Sequence, residues 1–133
     1  MRSIANDYIH FALVNDVVEG IFTKPILWDY EVATVIVRLR LLLCAGRHYP
    51  LYLDVRQVKN IDHEARRYMS SPPAMEFLTA GALRIDSSLG KMAGNFFLAL
   101  NKPQLPLRLF DSKLEALKWL EEYKQQRKDA EQV

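Results

Sequence analysis

Three short runs, Leu51–Val55, Gly81–Ile85 and Leu105–Phe110, carry apolar side chains at alternate positions, and segments with helical character separate them. A period of two is the signature of a strand with one buried face. Strands separated by helices cannot join through tight hairpins. They join through crossovers, and crossovers make a mostly parallel sheet with right-handed connections. Leu51, Leu53 and Val55 share a face, as do Leu83 and Ile85, and Leu105, Leu107 and Leu109; the reverse face carries Tyr52, Arg84 and Arg108. A parallel sheet held between two helical layers reads instead as unbroken Val/Ile/Leu runs. The alternation therefore predicts an α/β fold with a mixed, mostly parallel sheet and helices mainly on one face. The other face is expected to be amphipathic and at least partly open.

The rest of the chain fits that plan. Tyr8–Val14 and Val17–Lys24 read as strands around an Asn15-Asp16 turn, an antiparallel hairpin ended by Lys24-Pro25. Asp29 is placed to cap a helix, with Glu31 in its first turn, and Val32, Val35, Ile36, Leu39, Leu42 and Leu43 recur at helical spacing. Gly46 suits the left-handed position past its end. Arg56–Ile61 reads as a loop, and Asp62 as the cap of a helix beginning at His63. Ser71-Pro72-Pro73 breaks that helix. A short helix over Ala74–Thr79 is expected next, then a helix from Ser87 or Ser88 to about Leu100. Ser112-Lys113-Leu114-Glu115 is a capping-box pattern opening the last helix, whose buried stripe reads as Leu114, Leu117 and Leu120, widened by Ala116, Trp119 and Tyr123. One domain is expected over 1–133, with its core at about 7–124 and a polar, fraying tail over 125–133.

Composition excludes several classes. Half of the 133 residues are hydrophobic and the net charge is +2, so the chain is neither disordered nor a basic nucleic-acid binder. A single cysteine, Cys44, excludes a disulfide scaffold and reads as a buried small hydrophobe. No apolar run approaches the roughly twenty residues of a membrane span, and Met1–His10 lacks the apolar stretch of a secretory leader. A cytoplasmic protein is the expectation. His10, His48 and His63 are too scattered to suggest a metal site, and no cofactor motif is present.

Ligands of open parallel sheets meet the carboxyl ends of the strands. That rim would offer Asp54 and Arg56, then Asp86, Ser87 and Ser88, then Asp111. Asp54 and Asp86 read better as strand-end and capping residues than as an acid/base pair, because no nucleophile is tied to them. Ser87, Ser88 and Gly90 lie at an expected helix start beside Arg84; plain N-capping is the favoured reading, and an anion or ligand site the alternative if their backbone N–H groups are free. Gly90 and Gly94 on one helix suggest close approach by a neighbour, and Phe96 and Phe97 point to different sides of it. Arg38, Arg40, Arg66 and Arg67 read as solvated helix charges.

The stretch Leu53-Asp54-Val55-Arg56-Gln57-Val58-Lys59-Asn60-Ile61-Asp62 resembles the strand–loop–helix of STAS domains, found in sulfate transporters and anti-sigma-factor antagonists. The hairpin, the long first helix and the C-terminal Glu115–Leu120 helix agree. The run Gly94–Pro103 is similar to a bacterial group of small STAS-like proteins without assigned activity. The resemblance covers about residues 7–124. It implies a non-enzymatic interaction or regulatory module, with Asp54, Arg56, Asp62, His63 and Glu64 as the interaction loop. The antagonists carry a phosphorylatable Ser or Thr after the second Asp; here His63 stands there, followed by Glu64, so the Ser-phosphate switch is lost. Tyr52, Arg84 and Arg108 are the expected open-face interface, used for self-association as a homodimer. The alternative function is a carrier of an apolar ligand or lipid, in the manner of CRAL-TRIO domains.

Overall fold

The computed structural model describes residues 2–86 and 105–131, with side chains as far as Lys124. Strand β1 (Ser3–Ala5) precedes a hairpin of β2 (Ile9–Val14) and β3 (Val17–Phe22). Both turn residues of the hairpin, Asn15 and Asp16, have positive φ (49° and 63°), the paired left-handed geometry that matches strand twist in a two-residue turn. Strand β4 (Ile26–Trp28) leads into α1 (Tyr30–Cys44). Asp29 caps α1, its carboxylate accepting from the Val32 N–H at 2.9 Å. Past its end both Ala45 (φ 52°) and Gly46 (φ 80°) are left-handed. Then come β5 (Tyr49–Asp54), β6 (Val58–Ile61), α2 (His63–Met69), α3 (Pro72–Met75), β7 (Leu78–Arg84), β8 (Leu107–Phe110) and α4 (Lys113–Glu131).

The main sheet has six strands in the order β1-β2-β3-β5-β7-β8. The first three are antiparallel, and β3, β5, β7 and β8 run parallel. This is the expected mixed, mostly parallel sheet with an N-terminal hairpin. β4 and β6 form a separate parallel pair. The segment expected as a loop over Arg56–Ile61 is thus partly a strand, because Val58 and Ile61 find a hydrogen-bonding partner in a three-residue strand too short to be visible in the sequence. The short helix expected over Ala74–Thr79 lies earlier, at Pro72–Met75, where proline is tolerated in a first turn. The helix expected between Ser87 and Leu100, with Ser87, Ser88, Gly90, Gly94, Phe96 and Phe97, lies outside the described residues.

Helices α1, α2 and α3 cover one face of the sheet, where Phe11, Val18, Phe22, Leu53 and Leu83 meet Val32, Ile36, Val37, Ala65 and Ala74. Arg40 belongs to this layer and is only 3% exposed, not a solvated charge. Its guanidinium donates to the Glu76 and Ala74 carbonyls at 2.9 and 3.1 Å, tying α1 to the α3 segment. The reverse face is less open than the alternation suggests. Val17, Tyr52, Ala80 and Ala82 pack there against Ala116 and Leu120 of α4. Three of those positions are alanine, which lets a helix approach the sheet closely. Leu114, expected in the buried stripe, is 69% exposed instead, and the helix sits on Ala116 and Leu120. α4 continues to Glu131, past the point where fraying was expected.

Candidate functional site

The carboxyl ends of β3, β5 and β7 meet the first turn of α4 on the reverse face. Parallel register sets Glu19 beside Tyr52, Ile21 beside Asp54, and Asp54 beside Arg84. Together with Gly20, Arg56 and Lys113, these residues line a cleft of about 210 Å³. Asp54 is buried. Its carboxylate accepts from the Arg56 Nε at 3.0 and 3.1 Å and from Nη2 at 2.7 Å, and also from the Arg56 backbone N–H at 3.1 Å. This fork geometry is the strong form of an ion pair. The bond to Asp54 raises the Arg56 pKa further above its ordinary value. Lys113 pairs with Glu19 at 2.9 Å, and its ammonium lies 5.5 Å from the centre of the Tyr52 ring. Burial pushes the Tyr52 phenol up and the Asp54 charge adds to this, while Arg84 and Lys113 pull it back. The phenol therefore stays protonated at neutral pH. The Arg84 Nε is buried with no hydrogen-bond partner among the described residues.

The sequence-identified residues divide between separate places. Asp54, Arg56, Tyr52 and Arg84 share this cleft. Tyr52 is 4% exposed beneath α4, so it cannot be part of an open interface. Arg108 is exposed and lies 5.1 Å from the centre of the Phe110 ring, in an adjoining open groove with Ile85, Asp111 and Glu115. Asp62, His63 and Glu64 lie at the start of α2. There Asp62 caps the helix by accepting from the Ala65 N–H at 2.9 Å, while His63 and Glu64 are exposed. Ser87, Ser88 and Gly90 lie outside the described residues. Sequence reasoning missed Glu19 and Lys113. Nothing local marks them: a parallel pairing and the return of the last helix bring them in.

Around the α2 start, Val58, Ile61 and Ala65 are buried and fix the backbone. Beside them Leu27 and Tyr30 are each 52% exposed. Leu27 sits opposite Asn60 in the β4–β6 pair, and the Tyr30 ring meets Tyr68 of α2 edge-on at 5.6 Å. On the main helical face, Trp28, Leu51, Leu53, Met69, Leu83 and Leu107 border an apolar cleft of about 50 Å³. A lipid-sized ligand needs roughly several hundred Å³. Among the described residues no group of His, Cys, Asp and Glu is arranged to hold a metal ion, and no helix is long and apolar enough to cross a membrane.

Comparison with known proteins agrees with this architecture. An uncharacterised protein of the DUF3478 family from Shewanella loihica PV-4, described as having a SpoIIAA-like fold, superposes with a TM-score of 0.60 at 15% identity. The match covers 88% of this chain and 98% of that one. A candidate anti-sigma factor antagonist from Thermotoga maritima gives a TM-score of 0.49 at 18% identity, over 83% of this chain and 92% of its own. No curated protein matches the sequence. The superposition on the Shewanella protein shows the fold to be SpoIIAA-like. The domain of unknown function DUF7793 matches residues 11–124, and the chain belongs to that family.

Proposed function

We propose that the protein is a non-enzymatic interaction module that docks a protein partner at the start of α2, without a Ser-phosphate switch. The observation that carries this reading is a pair of exposed apolar side chains, Leu27 opposite exposed Asn60 and Tyr30 against Tyr68 of α2, the helix whose first turn presents exposed His63 and Glu64 on a backbone held by buried neighbours. Large apolar groups left in water next to a rigid, polar helix start suit a partner surface, since their burial contributes about 25 cal/mol per Å². The Asp62 carboxylate is occupied there as a helix cap, accepting from the Ala65 N–H. A protein that resembles the antagonists in fold, yet carries His63 where they carry Ser or Thr, would hold one binding state rather than alternate between two.

The test is affinity capture from native extract with wild type and Leu27→Asp, the fold of each checked by circular dichroism. A partner held stoichiometrically by wild type, lost with Leu27→Asp and with Tyr30→Ser, and kept by Arg108→Glu is the expected result. A partner retained equally by Leu27→Asp overturns the assignment, as does one lost only with Arg108→Glu.

A further inference from the structure

The cleft at the carboxyl ends of β3, β5 and β7 plays no part in the docking surface. Three cations and two carboxylates line it, and the carboxylates are already matched: Asp54 to Arg56, and Glu19 to Lys113. Arg84 is the remaining cation. It reaches the Tyr52 hydroxyl, yet its Nε is buried with no partner among the described residues. A buried guanidinium N–H without an acceptor is unfavourable, so such a group calls for one. The acceptor is not Asp54, whose oxygens are taken by Arg56. Lys113 opens α4, and the positive end of that 19-residue helix adds to the field. Lys113 also has N–H groups to spare after its bond to Glu19.

The geometry points to a binding site for the oxyanion group, phosphate or carboxylate, of a small molecule, seated between Arg84 and Lys113 with Tyr52 at its floor. Arg84 supplies the planar fork that suits an oxyanion, and Lys113 supplies a point charge. At about 210 Å³ the cleft admits a head group with a few carbons, below the range of roughly 300–1,000 Å³ typical of drug-sized ligands. Glu19 faces the same space and opposes an anion, so it limits affinity and holds Lys113 until a ligand competes for it.

The test is titration of the full chain with inorganic phosphate, and separately with acetate, at constant ionic strength set by chloride. Amide and arginine Nε–H shifts are followed by nuclear magnetic resonance. Saturable shifts centred on Gly20, Ile21, Arg84 and Lys113 with either anion are expected, and the tighter probe names the ligand class. Arg84→Gln weakens binding at least tenfold, whereas Glu19→Gln strengthens it several-fold. A purely structural ion-pair network does not predict that opposition of sign. Should Arg84→Gln fail to fold, Lys113→Met, at a half-exposed position, carries the same expectation of weaker binding. Absence of saturable shifts with both anions overturns the assignment. So do shifts centred elsewhere, or wild-type affinity in both Arg84→Gln and Lys113→Met. Loss of the protein partner with Leu27→Asp has no bearing on these readouts, so the two proposals fail separately.

Discussion

Arg40 shows how far a single residue can depart from what its type suggests. In sequence it is one of several basic residues on a helix, and helix charges are normally solvated. In the fold it is nearly inaccessible and serves two backbone carbonyls, at Ala74 and Glu76, with Cys44 Sγ 3.9 Å away. Burial lowers its pKa and raises that of the Cys44 thiol, while their proximity opposes both shifts. The α3 segment and the turn after it offer few helical hydrogen bonds of their own, so an arginine fork replaces them. Arg40→Leu would leave both carbonyls without their donor. It is expected to destabilise the protein by about 2–4 kcal/mol in urea denaturation, against less than about 0.5 kcal/mol for the exposed Arg38→Leu.

Among the elements, α2 is the one on which the proposed docking surface rests. It is seven residues long, short enough that its ends decide its stability. Asp62 caps it, Glu64 sits favourably in its first turn, and Arg66 and Arg67 lie in its last. Asp62→Ala is expected to cost about 1 kcal/mol, read as a shift in the denaturation midpoint, and His63→Ala close to nothing. The cap, the helix start and the proline break were all legible in the sequence, because each is a local rule obeyed by adjacent residues. The β4–β6 pair was not. Its strands are three and four residues long and separated by the whole of α1, so no periodicity develops in either.

Across the whole molecule, the seating of α4 decides what the reverse face can do. Leu120 is fully buried and Leu114 largely exposed, although both stood in the stripe read from the sequence. Leu120→Ala is expected to cost about 2–5 kcal/mol and to make Trp119 more accessible to acrylamide quenching, while Leu114→Ala stays within about 0.5 kcal/mol of wild type. The alternation of the strands, the hairpin turn, the capped helices and the crossover order belong to the sequence alone, since near neighbours enforce them through backbone geometry and side-chain period. From these follows the α/β class with a mixed, mostly parallel sheet. The cleft at the strand ends, with Glu19, Arg84 and Lys113 brought together from three elements, belongs to the tertiary structure. So does the covering of Tyr52. Parallel pairing joins residues more than thirty positions apart, and a helix selects its face by the space that Ala80 and Ala82 leave for it, a quantity no single segment contains.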